Sequence, residues 1–263
     1  MPDIKGPMIK VNRAKSHLDE LSRSVKEFMG STPYEIVTRE EDDGDLVYRV
    51  KIKSEPPVEW SAIIGDIVHN LRSSLDLLAW QLVIHNGKTP DKSVYFPIGL
   101  AETGYGKQLR SSIGNASSKS KKLIRRLKPF LGGNKILTQL HALDICDKHR
   151  LILIVGSAHK HILVTLILPV PADWIPQNFK FPTLALNPAD RQFPLTDGSE
   201  VFRVMKAARQ NDSIADHSIV FELAFGDAEE VKGLPLLETL SDMEAYVRKI
   251  MGIFERTIFN TNV

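Results

Sequence analysis

The stretch IVHNLRSSLDLLAWQLV, residues 67–83, has the composition of an apolar core helix, yet it carries three ionisable side chains. At about 100° per residue, Arg72 lies about 60° around the helix from His69, and Asp76 lies about 20° from it. The three form one stripe along the apolar surface, and Asn70 adds a further polar group. Because a lone buried charge is costly, the stripe predicts either ion-pair partners or a functional site.

A second charged stripe is predicted in DICDKHR, residues 144–150. A helix over residues 135–155 places Asp147 and Arg150 on its apolar side. The simplest arrangement packs this helix against a helix over residues 60–85, so that the charges fix the register of two core helices. The expected ion pairs are Arg72 with Asp147 or Asp144, and Asp76 with Arg150 or Lys148.

The same residue types would serve phosphodiester cleavage if they lined a cleft. Histidine titrates near neutral pH, and the planar fork of arginine binds phosphate. Metal-free RNA hydrolysis needs a base, an acid and a cation, which His69, His149 and Arg72 would supply. No cofactor or metal site is expected, because His159 and His161 in the HKH sequence lack further ligands at suitable spacing. The candidate catalytic residues are His69, Arg72, Asp76, Asp147, His149 and Arg150.

Charge is unevenly distributed, although the net charge is only +2. Between Thr103 and Leu143 there are nine lysine and arginine residues and no acidic residue. Such a block attracts a polyanion without implying sequence recognition, and a solvated surface helix is the alternative. The candidate nucleic-acid-binding residues are Lys119, Lys121, Lys122, Arg125, Arg126 and Lys128. The expected partners are RNA or another polyanion, with a homodimer left open.

Composition excludes several protein classes. The chain has 263 residues, of which 43% are hydrophobic and 25% charged, as in ordinary globular proteins. The single cysteine, Cys146, excludes an intramolecular disulfide and fits a reducing compartment. The amino terminus lacks an apolar signal region and the apolar run of residues 162–170 is too short to span a membrane, so we expect a cytoplasmic protein without a membrane partner. No phosphate-binding glycine loop or GxSxG motif is present, and GYG near Tyr105 indicates only a turn.

Hydrophobic periodicity predicts an α+β fold in one domain over residues 1–263. The expected antiparallel helical core comprises helices at 9–29, 60–85, 135–155 and 236–259, with a shorter basic helix near 117–130. An antiparallel sheet is expected from a hairpin over 34–53 and from strands of period two within 160–226.

The pattern GDIVHNLRSSLDLLAWQLV followed by LHALDICDKHRLILIVG resembles a widespread family of uncharacterised bacterial proteins whose landmarks are HNLRSxLD and DKHR motifs. The two central helices in turn resemble the HEPN superfamily of small helical proteins, many of which are RNases in toxin and phage-defence systems. The arginine-then-histidine order of the active RNases is reversed here, in His69-Asn70-Leu71-Arg72. The resemblance implies a nucleic-acid-associated protein or metal-independent RNase; the alternative is a non-catalytic binding or scaffold protein with a structural charge network.

Overall fold

The computed structural model describes residues 2–152, 154–166, 183–186, 194–206, 214–226 and 228–260. The fold is α+β, as the sequence predicts. The α-helices of the described part are α1 (Lys5–Gly30), α2 (Trp60–His85), α3 (Tyr105–Ile113), α4 (Ser118–Arg126), α5 (Lys135–His149) and α6 (Leu236–Phe254), and α6 continues into a π-helical turn over Glu255–Phe259. Its strands are β1 (Tyr34–Glu40), β2 (Leu46–Ile52), β3 (Ile154–Leu166), β4 (Thr183–Leu186), β5 (Glu200–Val204) and β6 (Ile214–Phe225).

The chain divides into two compact units. The first comprises Met1–Val25, Val58–Leu153 and Asp227–Val263, and the second comprises Lys26–Pro57 and Ile154–Gly226. The single domain over residues 1–263 stays a prediction. None of the helices in the described ranges combines the length and the apolar composition that crossing a membrane requires.

The core of the first unit is built around α2, which packs against α5 and α6. Helix α5 also packs against α6, so the three form one apolar cluster. Leucine and isoleucine occur on nearly every side of α2, which explains why this helix is buried along most of its length. Side-chain hydrogen bonds join α1 to α2, from Lys10 Nζ to Asn70 Oδ1 (3.2 Å) and from Trp60 Nε1 to Ser24 Oγ (3.0 Å).

The predicted helices differ from the observed ones at several places, and the basic helix predicted near 117–130 ends already at Arg126. The helix predicted over 135–155 ends at His149, because Arg150 adopts extended backbone (φ −161°, ψ 159°) and the β-branched run that follows forms β3. Helix α3 lies where the sequence predicted only a GYG turn; it begins after Gly104, whose φ of 83° favours glycine. The amino-terminal helix begins at Lys5 rather than at residue 9.

The second unit contains two antiparallel three-stranded sheets. The predicted hairpin is confirmed, with β1 and β2 paired from Tyr34↔Ile52 to Glu40↔Leu46. Strand β5 extends this hairpin to the order β1-β2-β5, whereas the other late strands form a second sheet in the order β4-β3-β6. The late strands therefore divide between two sheets rather than completing one.

Candidate functional site

A polar contact between α2 and α5 joins His69 to Asp144. Nδ1 of His69 lies 3.4 Å from Oδ1 of Asp144, and Nε2 of His69 lies 3.3 Å from Oγ of Ser73, one turn along α2. The Asp144 side chain is only 3% exposed, whereas the His69 side chain is 55% exposed. A buried carboxylate therefore orients an imidazole that solvent reaches, which is the arrangement of a positioned acid or base.

The same carboxylate also holds a lysine. Nζ of Lys148 lies 2.6 Å from Oδ2 of Asp144, one turn along α5. Lys148 is 55% exposed, like His69. A buried aspartate thus presents an imidazole and an ammonium group together at the surface, and both partners offset its cost of desolvation. We refer to His69, Asp144 and Lys148 as the Asp144 cluster.

Arg72 and Asp76 form a separate network, in which Arg72 is buried and Asp76 is partly exposed. Nη1 of Arg72 donates to Oδ1 of Asp76 (2.8 Å), and Nη2 donates to the carbonyl oxygen of Phe96 (2.9 Å). The Phe96 amide donates in turn to Oδ1 of Asp76 (2.8 Å). Burial raises the pKa of Asp76, while Arg72 and the Phe96 amide act in the opposite direction.

The expected pairing of Arg72 and Asp76 with the DICDKHR segment was therefore wrong. Helices α2 and α5 do pack together, but the polar contact runs through His69 and not through Arg72 or Asp76. The physical reason is the loop that precedes α3, which folds back on α2 and brings the backbone of Phe96 to the Arg72 guanidinium.

Asp147 lies against the backbone of α2 at Gly65. A Cβ atom at Gly65 would overlap the Asp147 carboxylate, so glycine permits this close approach. Burial raises the pKa of Asp147, and the nearby carboxylates of Asp144 and Asp66 raise it further. The positive charges of His69 and Lys148 oppose this rise in the pKa of Asp147. Asp147 therefore lies close to the Asp144 cluster.

Among the histidines of α5, His141 is the one that contributes to this region. It is half-buried, and no described residue offers a hydrogen-bond partner to its buried Nδ1. Burial lowers the pKa of His141, and the positive charge of Arg72 lowers it further, against the attraction of Asp144. Burial and the charge of Arg72 thus favour the neutral form of His141.

The remaining predicted catalytic residues lie elsewhere. His149 is the exposed last residue of α5, about 140° around that helix from Asp144. Arg150 follows in extended backbone, and its amide donates to the carbonyl oxygen of Cys146 (2.9 Å). These positions give His149 and Arg150 no shared face with the Asp144 cluster.

The basic segment forms a groove between α3 and α4, which we call the α3–α4 groove. It has a volume of about 620 Å³ and is lined by Leu109, Arg110, Ser118, Lys121, Lys122, Arg125 and Arg126. Of the predicted nucleic-acid-binding residues, Lys119 and Lys128 do not line it. Arg110 takes part instead, because the unpredicted helix α3 brings it to α4.

The candidate histidines of the HKH sequence, His159 and His161, have side chains outside the described part of the structure. Among the side chains that are described, no group of three or more histidine, cysteine, aspartate or glutamate residues could hold a metal ion.

No protein-family model, curated protein or solved structure matches the chain.

Sequence reasoning missed Asp144, Lys148 and Arg110 as site residues, and Gly65 and Ser73 altogether. Two of these carried a usable signal. Asp144 continues the spacing of Leu137 and Leu140 on the buried side of α5, which predicts a buried carboxylate. Gly65 is an isolated glycine inside a helix, which commonly marks close packing.

Proposed function

We propose that the chain is an RNA-directed, HEPN-like protein that cleaves RNA without a metal ion, with His69 as the acid or base. The observation that carries this proposal is the half-exposed His69 imidazole held by the buried Asp144 carboxylate. The resemblance of the two central helices to the HEPN superfamily, many of whose members are RNases in toxin and phage-defence systems, supports such a setting for this chain. The single cysteine and the lack of a spanning helix among the described residues agree with a cytoplasmic location.

The proposed reaction is an internal transfer at phosphorus. A base removes the proton of an RNA 2′-hydroxyl, the freed oxygen bonds to the adjacent phosphorus, and the bond to the 5′-oxygen breaks. The leaving 5′-oxygen takes a proton from an acid, so the products are a 2′,3′-cyclic phosphate and a 5′-hydroxyl. His69 supplies one of the two proton transfers through Nε2, the ring nitrogen that does not face Asp144.

Lys148, rather than Arg72, is the cation suited to this reaction. The ammonium group of Lys148 is exposed next to His69 across the shared carboxylate. The Arg72 side chain is 8% exposed, and both of its terminal nitrogens already donate to partners within the protein. A developing negative charge on phosphate would therefore be stabilised by Lys148.

A non-catalytic binding or scaffold protein is the second candidate. It is favoured by the network in which Arg72 donates to Asp76 and to the Phe96 carbonyl oxygen while the Phe96 amide donates to Asp76, so these groups are satisfied within the protein. In that case the charges of α2 serve packing and register, and the His69 contact is one more structural link.

The test is a time course of cleavage of a labelled, mixed-sequence RNA in excess chelator. His69→Ala should lower the rate by roughly two to four orders of magnitude, the usual contribution of a positioned acid or base. The matched control is His85→Gln, a histidine at the end of the same helix that contacts Phe259 and not the Asp144 cluster.

Each outcome decides between the candidates. Equal rates for wild type and His69→Ala would move the chemistry away from the Asp144 cluster. Activity that chelator abolishes would contradict the metal-free reaction and favour the HKH histidines. A folded wild-type protein without any cleavage would leave the non-catalytic candidate.

A further inference from the structure

The α3–α4 groove gathers cationic side chains from two helices without a carboxylate among its lining residues. Arg110 comes from α3, and α4 supplies the other four, which are Lys121, Lys122, Arg125 and Arg126. Like charges at short range raise the free energy of a protein unless a counter-charge relieves them. The groove therefore has the electrostatic character of an anion site.

Two of these arginines converge on one backbone position of α3. A Cβ atom at Gly106 would lie 3.7 Å from Nη1 of Arg110 and 3.8 Å from Nη2 of Arg125. The guanidinium groups thus approach the same backbone position from separate helices, and Gly106 adds no side chain between them. Two planar forks that face one space fit the several oxygens of a phosphate group.

Arginines of the β1–β2 hairpin region provide a contrast. Arg49 Nη2 lies 2.8 Å from Glu41 Oε1, and Arg203 Nη2 lies 2.9 Å from Glu200 Oε2, so these charges are neutralised within the protein. In the described ranges, the arginines of the α3–α4 groove form no ion pair. Lys121 differs from them, because its Nζ donates to the Gly114 carbonyl oxygen at 2.9 Å.

We infer that the α3–α4 groove binds the phosphate backbone of RNA, with Arg110 and Arg125 holding one phosphate between them. No aromatic ring is among the lining residues, so the groove offers no platform on which bases would stack. Contacts to phosphate alone carry no sequence information, and recognition here is independent of sequence. The identification of the bound polymer as RNA rests on the proposed function. The binding of phosphate itself does not rest on the proposed function.

The experiment measures binding of a labelled 2′-O-methyl RNA by fluorescence anisotropy over a series of salt concentrations. This RNA lacks the attacking hydroxyl, so binding is measured apart from cleavage. For single strands, the slope of log affinity against log salt is about −0.7 per phosphate contact. Losing this one phosphate contact in the double variant Arg110→Gln/Arg125→Gln should therefore make the slope shallower by about 0.7 and weaken binding at low salt by about tenfold.

The matched control is Lys119→Gln/Lys128→Gln, which removes the same charge from the same segment but outside the groove. Its slope should stay closer to wild type than that of the arginine variant. The double variant Arg110→Lys/Arg125→Lys retains the charge and loses the planar forks, and its affinity should fall between those of wild type and the glutamine variant. Melting curves of all variants establish that each is folded.

Four results would overturn the inference. They are an unchanged affinity in the folded arginine-to-glutamine variant, an equal loss in the lysine control, no RNA binding by wild type, and binding of inorganic polyphosphate with no binding of RNA. Groove-dependent binding without cleavage of ordinary RNA would support the inference while removing the proposed catalysis. Failure of the inference about the α3–α4 groove is therefore distinguishable from failure of the proposed catalysis.

Discussion

Arg72 and Asp76 are bound to each other at 2.8 Å within α2, and both are bound to the backbone of Phe96, which lies outside that helix. Phe96 is fully buried, so the two charges attach the segment that leads to α3 to the core helix. This arrangement explains why a core helix carries them. They satisfy backbone groups of a loop that would otherwise be buried without partners.

Arg72→Ala should destabilise the protein by about 2 to 3 kcal/mol, because it removes the donor to the Phe96 carbonyl and the cation beside Asp76. The measurement is urea denaturation of wild type and variant. Arg23→Ala, an exposed arginine of α1, is the control and should change the free energy of unfolding by less than about 0.5 kcal/mol. Equal small effects of both substitutions would show that the Phe96 attachment contributes nothing.

The helices could be predicted where the residues that start and stop a helix agree with the hydrophobic periodicity. The bounds of α2 are those predicted, since Pro56 and Pro57 precede it and Asn86-Gly87 follows it. Helix α3 was missed because it is short and follows a glycine-containing turn, so its few apolar residues establish no clear period. The end of α5 was missed because LILIV fits either a buried helix or a strand.

The site could be predicted only in part. The sequence identified the charged stripes and the packing of α2 on α5, because lone buried charges are costly. Which charges pair depends on the rotation of α5 about its axis and on how the loop before α3 folds back on α2. Neither is local in sequence, so Asp144 became the partner of His69 and not of Arg72. Similarly, Arg110 entered the α3–α4 groove through a helix that was not predicted.

Gly65→Ala should destabilise the wild-type protein but not a variant that lacks the Asp147 carboxylate. In an open helix, alanine is more favourable than glycine by about 1 kcal/mol. At Gly65 the added Cβ would overlap Asp147, which must move into a less favourable position. In an Asp147→Ala background the overlap is gone, so the substitution should stabilise by up to about 1 kcal/mol. Urea denaturation of the four proteins measures this double-mutant cycle, and identical effects of Gly65→Ala in both backgrounds would contradict the contact.

Acid should destabilise the protein in part through His141. Burial, with Arg72 and Lys148 nearby, lowers its pKa from the ordinary value of 6.5, and Asp144 opposes this effect. As pH falls below 6.5, the unfolded chain takes up this proton before the folded chain does, so stability is lost from 6.5 downward. His141→Gln removes this contribution and should lose less stability than wild type between about pH 7.5 and about pH 5. Other titrating groups occur in both proteins, and an equal or larger loss in the variant would contradict the direction of the shift.

Asp144→Asn should separate catalysis from binding. The amide is nearly the size of the carboxylate, but it removes the negative charge that holds His69 and Lys148, so the imidazole loses its orientation and its electrostatic support. If His69 acts as proposed, the rate of RNA cleavage should fall by at least about a hundredfold, within the range of a positioned acid or base. Affinity for 2′-O-methyl RNA should stay near that of wild type, because the α3–α4 groove is unchanged. The two measurements are a cleavage time course in chelator and an anisotropy titration.

Lys148→Gln retains the carboxylate and should reduce the rate less than Asp144→Asn, since it removes only one of the two groups that Asp144 holds. A cleavage rate unchanged by Asp144→Asn would mean that the contact between His69 and Asp144 serves only the packing of α2 on α5.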